Sequence, residues 1–291
     1  MLTRRDFMGK LIGGVAAGTA AANTDLWAAG RLAWPGPIGL ELYTVRFMFA
    51  KHPATTLKEV AAIGYKEVEI GPGPKPSTLN QDLRNAGLTA PSGYFNVPKT
   101  TDGWKASVER AHRYGLKYIV VGDAARLSEE GWKRRAALFN QWGKISRDAG
   151  IQFCYHAHFP EFERVDHTSG YDILLTECDP HLLKMEMDIF WTVYAGKDPL
   201  TYWRRYPGRF PLLHIKDMRK GVKINRHEFP KPNGPNPFVS VGDGIINWKR
   251  IFAHVHEAGA KYIYVEQDRC NRPPLVAAKS SYEYLRHLRL D

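Results

Sequence analysis

The chain has 291 residues, 44% of them hydrophobic and 24% charged, a globular composition that excludes disorder, collagen and low-complexity sequence for its bulk. Its formal net charge is +11, but Lys and Arg are scattered with no run of five, so nothing indicates a nucleic-acid-binding surface. No apolar run reaches the roughly 20 residues of a membrane span.

Residues 1–30 read as an address. Arg4 and Arg5 form a twin-arginine pair, followed by a Gly- and Ala-rich apolar stretch and small residues at Ala20, Ala22, Ala28 and Ala29 that offer cleavage sites. This is the layout of a twin-arginine (Tat) export signal. It implies a partner, the Tat export machinery, and a mature protein exported already folded to the periplasm or beyond. Residues 31–291 are then the folded domain.

Strands and helices alternate through that domain. Apolar runs at 38–45 (IGLELYTV), 65–70 (YKEVEI), 88–97, 118–121, 151–158 (IQFCYHAH), 183–190, 210–218 (FPLLHIKDM) and 262–267 (YIYVEQ) read as strands. Helical patterns at 56–63, 79–86, 104–114, 129–149, 171–177, 199–206, 248–258 and 274–288 follow them one by one. Four helices stop at a glycine, namely Gly64, Gly87, Gly150 and Gly259, as helix C-termini favour. Eight βα units in about 255 residues predict an α/β fold of the (β/α)8 TIM-barrel type. No G-x-G-x-x-G follows the first strand, which argues against a doubly wound dinucleotide-binding sheet. The Pro/Asn/Gly-rich stretch 221–239 is long for a connection and reads as an active-site cover. Cys154, Cys178 and Cys270 match no zinc knuckle and no disulfide framework, and read as packed apolar residues.

A barrel of this type keeps its active site at the C-terminal strand ends. The fifth strand ends in His156 and His158, with Glu161 and Glu163 just beyond; the sixth ends in Glu186-Met187-Asp188, the seventh in His214-Ile215-Lys216-Asp217, and the eighth in Glu266-Gln267-Asp268. Carboxylates gathered on one rim repel one another unless a cation joins them. Glu161, Asp188, His214 and Glu266 are therefore read as ligands of one divalent metal ion. One His with several carboxylates suits Mn²⁺, Mg²⁺, Co²⁺ or Zn²⁺ without choosing among them. His156, His158 or Glu163 could stand in place of Glu161.

The stretches LYTVR, YHAHFPEF, MDIFW, AGKDP, YPGRFPLLHIKDM, VGDGIINW and VEQD resemble the sugar phosphate isomerase/epimerase family, within the xylose isomerase-like TIM barrels. The resemblance covers roughly residues 36–288. It implies a metal held by Glu, Asp, His and Glu of the last four strands, which fall on Glu161, Asp188, His214 and Glu266. It also implies proton transfer by two glutamates, Glu161 and Glu266. Two positions depart from the family pattern: the third strand reads Ser92-Gly93-Tyr94 where a His is common, and the fourth ends in Gly122-Asp123 where Pro-Trp is common.

The expected chemistry is enediolate formation on a metal-chelated carbonyl. His156, His158, Lys216 and Arg269 are expected to contact substrate oxygens, and Tyr43 and Trp191 to face a sugar ring. Asp217 is expected to cap a helix or support a ligand. The leading expectation is isomerisation or epimerisation of a free sugar or keto-sugar. The runner-up is elimination or hydration of a 3-keto-glycoside at the same site. An abasic-site endonuclease and a silent sugar-binding module are weaker readings. A homo-oligomer is left open.

Overall fold

The computed structural model describes residues 31–71, 74–222 and 225–290. The export signal read at 1–30 lies outside these residues. Eight parallel strands close into a barrel: β1 (Gly39–Glu41), β2 (Glu67–Ile70), β3 (Thr89–Phe95), β4 (Tyr118–Val121), β5 (Gln152–His156), β6 (Leu183–Asp188), β7 (Leu212–Ile215) and β8 (Tyr262–Val265). Closure is made where Tyr264 and Val265 of β8 pair with Gly39 and Leu40 of β1. The predicted TIM-barrel architecture is therefore the observed one. Near the chain ends, Arg31–Leu32 pairs antiparallel with Arg289–Leu290.

The helices pack outside the barrel because outward strand residues and one face of each helix are apolar. Trp104, Trp132, Trp142, Trp203 and Trp248 are all fully buried. Trp104 stacks on Trp142 at 4.9 Å between ring centroids and donates its indole N–H to the Trp142 carbonyl at 2.9 Å. The four helix-stopping glycines all have positive φ, the conformation in which a side chain would clash.

Several strands are shorter than their apolar runs suggest, because polar side chains at their ends turn the chain. Glu41 ends β1 and accepts from the Tyr43 N–H, starting a 3-10 turn over Leu42–Val45. Asp188 ends β6 and caps the short helix Ile189–Tyr194 by accepting from the Trp191 N–H at 2.9 Å. Beyond β7, Asp217–Met218 pairs antiparallel with Phe238–Val239. That ladder ties off the long excursion between them at its base.

Candidate functional site

Alternation along each strand decides which of its polar side chains face the barrel interior. On β7, Leu213 and Ile215 join the outer core beneath the helices, and His214 points inward. Its ring meets carboxylates through both nitrogens. Nε2 lies 2.7 Å from Glu69 Oε2 of β2, its hydrogen-bond partner, and 3.4 Å from Glu186 Oε2 of β6. Nδ1 lies 2.7 Å from Glu266 Oε2 and 3.9 Å from Asp188 Oδ2. Around this imidazole three sets of potential ligand atoms lie within 4.8 Å of one another: Asp188, His214 and Glu266; Glu41, Glu69 and His214; and His156, Glu186 and His214.

Lys216 is buried among the rim carboxylates. Its Nζ lies 3.0 Å from Asp188 Oδ2, 2.9 Å from Glu266 Oε2 and 2.9 Å from Asp268 Oδ2. Burial alone would discharge this lysine, but Asp188, Asp268 and Glu266 outweigh it and hold its pKa well above the ordinary value. The same pairing works in reverse on Glu266. Burial raises its pKa, yet Lys216 and His214 bring it well below the usual carboxylate range. His214 is pushed down by burial and raised more strongly by Glu186 and Glu266, ending well above an ordinary imidazole. Glu41 and Glu186 move the other way: burial first, and the Glu69 charge second, raise both well above the ordinary range.

Three of the four expected ligands, Asp188, His214 and Glu266, thus come together. Glu161 belongs to none of the three sets among the described residues. Its carboxylate accepts from the Tyr155 hydroxyl at 2.8 Å and from the His158 N–H at 3.1 Å. Burial lifts its pKa to about 7 against the lowering effect of the Tyr155 bond. Of the residues that could replace it, His156 does reach His214 through Glu186, at 3.1 Å from its own Nδ1. Glu163 instead pairs with Arg126. His158 packs on His156 at 4.7 Å, and its Nδ1 is shielded with no hydrogen-bond partner. Burial, with the Lys216 charge added, lowers the His158 pKa to about 3, so it is neutral.

The remaining expected contacts divide. Trp191 is buried against Phe159, Phe190 and Phe238, with the Lys216 ammonium 5.5 Å above its ring. Tyr43 is half exposed, with the Arg46 guanidinium 4.0 Å over its ring. Arg269 turns to the covering loop: its guanidinium donates to the carbonyls of Lys231 (2.8 Å), Pro232 and Pro235 (3.0 Å). Asp217 holds the far side of that excursion. Its carboxylate accepts from the backbone N–H of Met218, Gly242, Gly244 and Ile246 and from the indole of Trp248. The departure at Gly122 has a steric reason, since a Cβ there would collide with the His156 carbonyl and sit 2.6 Å from the Tyr94 hydroxyl. Tyr94 in turn lies edge-on to His156 at 5.6 Å.

The sequence reading left Glu41, Glu69, Glu186 and Asp268 out of the site. A signal for Glu69 was present: Glu67 and Glu69 alternate in a short strand of a parallel barrel, where apolar runs are the rule.

The donor set fits a divalent ion on the Nδ1 side of His214. Nδ1 and Asp188 Oδ2 are both buried and lack a hydrogen-bond partner, although charged neighbours stand at contact distance. One imidazole and two carboxylates suit Mn²⁺, Mg²⁺, Co²⁺ or Zn²⁺.

Comparison with known proteins adds the following. A family model described as xylose isomerase-like TIM barrel matches residues 57–288. An inosose dehydratase of Lacticaseibacillus casei is 28% identical over 261 residues, spanning 79% of this chain and 87% of its own. An inosose dehydratase of Clostridium beijerinckii is 26% identical over 265 residues, with 79% and 87% covered. Among solved structures, a sugar phosphate isomerase/epimerase from Parabacteroides distasonis superposes with a TM-score of 0.75 at 25% identity, covering 89% of this chain and 96% of its own. The IOLI protein, solved with a zinc atom, shares the fold with a TM-score of 0.63 at 15% identity, covering 85% and 96%.

These relatives correct the leading functional expectation. Isomerisation or epimerisation came first in the sequence reading, but the sequence relatives from Lacticaseibacillus and Clostridium are dehydratases, which favours the eliminating chemistry placed second. Both reactions start by removing a proton beside a carbonyl, so the residues of the rim alone could not separate them. With the family model spanning most of the chain and the barrel closed as that family requires, the chain belongs to the xylose isomerase-like TIM barrel family.

Proposed function

We propose that this chain is a metal-dependent dehydratase (lyase) acting on a cyclic polyhydroxy ketone, either a keto-cyclitol or a 3-keto-glycoside. The observation that carries the reading is the convergence of Asp188, His214 and Glu266, with the imidazole Nδ1 facing both carboxylates. The dehydratase relatives support the class of reaction.

Asp188, His214 and Glu266 would hold the divalent ion, whose identity among Mn, Mg, Co and Zn stays open. When bound, the ion supplies Lewis acidity toward the ketone oxygen and so acidifies the neighbouring C–H. Glu266, kept ionised by Lys216, takes the α-proton. The α C–H electrons form the new double bond as the β C–O bond breaks, and the departing hydroxyl takes a proton to leave as water. Glu161, with its pKa near neutrality, is the buried acid whose protonation state suits that delivery. Neutral His158 offers its free Nδ1 to a substrate hydroxyl. Trp191 and Phe229, 5.4 Å apart with His158 beside both, form the aromatic wall for the ring.

The test is to strip the protein of metal, reload it with Zn²⁺ or Mn²⁺, and incubate it with inosose and with 3-keto-glycosides in D₂O. Water loss is the expected outcome, with deuterium entering at the α-carbon of the unreacted ketone through reversible proton removal. Failure of the loaded protein to dehydrate or exchange any of these ketones overturns the reading. The export reading of residues 1–30 is likewise a proposal, tested by fractionating cells that carry the chain with Arg4 and Arg5 both changed to Lys. Retention of this variant in the cytoplasm is expected.

A further inference from the structure

The two nitrogens of His214 are not equivalent. Nε2 has a hydrogen-bond partner, Glu69 Oε2 at 2.7 Å. Nδ1 faces the other way, toward Glu266 Oε2 at 2.7 Å and Asp188 Oδ2 at 3.9 Å. Glu69 is fully buried on β2, on the far side of the ring from Asp188 and Glu266. A carboxylate at that distance can only accept, so the ring must place a proton on Nε2. An ion held by Asp188, Glu266 and Nδ1 would displace the proton from Nδ1 and leave the ring's one remaining proton on Nε2, facing Glu69. A carboxylate behind a ligating imidazole fixes the tautomer and the ring plane, and raises the basicity of the ligating nitrogen.

We infer that Glu69, a residue from the opening half of the barrel, is the positioning residue that makes His214 a metal ligand through Nδ1. The inference rests on the rim site proposed above and adds a residue that touches neither metal nor substrate. Glu186 Oε2 stands 3.4 Å from the same nitrogen but also pairs with His156, so it supports the ring from one side without replacing Glu69.

The test uses the full chain loaded with Zn²⁺, a diamagnetic probe. Nitrogen-15 NMR of the histidine rings in the unsubstituted protein should show His214 protonated at Nε2 and zinc-bound at Nδ1. Chelator competition should show zinc affinity falling about 10- to 100-fold in Glu69→Leu. Glu69→Gln should recover most of that loss, because the amide oxygen still accepts from Nε2–H. A merely structural role would not be rescued in this way, nor would it set the tautomer. Zinc bound with Nδ1 protonated overturns the inference, and so does Glu69→Leu with unchanged zinc affinity. If Glu69→Leu does not fold, the ring spectrum of the unsubstituted protein and the Glu69→Gln affinity still decide. Failure of the unsubstituted protein to bind zinc at all would overturn the rim-site reading itself, a different result from the other two.

Discussion

On the Nδ1 side of His214, Asp188, Glu266 and Asp268 surround the Lys216 ammonium at 2.9–3.0 Å. On the Nε2 side, Glu41, Glu69 and Glu186 are just as buried, and among the described residues no Lys or Arg pairs with them. Burial makes a charged carboxylate costly in both places. The lysine offsets that cost for Glu266, which stays ionised well below its ordinary pKa. Without such a cation, Glu41 and Glu186 are pushed toward the neutral acid. One imidazole therefore separates a half-site in which a lysine keeps Glu266 ionised from one in which Glu41 and Glu186 are pushed toward the neutral acid.

The sharpest way to break this contrast is Glu266→Gln, which removes ligand and base together. Turnover of a ketone substrate should fall by about 10²- to 10⁴-fold, and zinc uptake should weaken with it, read by steady-state kinetics and chelator competition. Retained turnover would move the base elsewhere. Lys216→Met attacks the charge balance instead. It leaves buried Asp188 and Glu266 and half-buried Asp268 without their cation and should cost about 3–5 kcal/mol of stability in urea denaturation.

Glu161 extends the comparison to a third place, because it too is buried and, among the described residues, no Lys or Arg pairs with it. Its pKa rises from the ordinary 4.5 to about 7 on folding. The folded state holds that proton more tightly, so its contribution is fully present below pH 4.5 and is lost as pH rises through 7. Glu161→Gln should therefore gain stability relative to the unsubstituted protein between pH 4.5 and pH 8, by on the order of 3 kcal/mol. A difference that does not change with pH would show that the carboxyl is ionised throughout.

The smallest effect is expected at Glu41. Replacing an already neutral acid by an amide in Glu41→Gln should change stability by less than about 1 kcal/mol at pH 5. A loss as large as that of Lys216→Met would mean that the Nε2 side carries charge after all, and the contrast would fail.

The architecture was legible because hydrophobic period, helix-stopping glycines and segment lengths are local properties of the chain. So were Asp188, His214 and Glu266, since a strand end is marked in sequence and the last three strands each end in a ligand type. The position of Glu161 was not legible. It lies a turn beyond β5, and whether its carboxylate faces the barrel axis or Tyr155 depends on the path of Pro160–Phe162. The partners of Arg269 were not legible for a similar reason, because the carbonyls it holds belong to a loop 34 to 38 residues away in sequence.

By itself, the order of residues determined the alternation of strand and helix, the closing of eight such units, and the clustering of acids and imidazoles at the later strand ends. The alternation and the strand-end clustering follow from interactions between near neighbours and from the side-chain period of two along a strand, and the number of units implies the closure. Only the tertiary structure decided that Glu41 and Glu69, from the first two strands, stand against an imidazole from the seventh. Closing the barrel brings strands distant in sequence across a shared interior, and the low polarity there sets Glu266, paired with Lys216, apart from Glu41 and Glu186, with which no Lys or Arg pairs among the described residues.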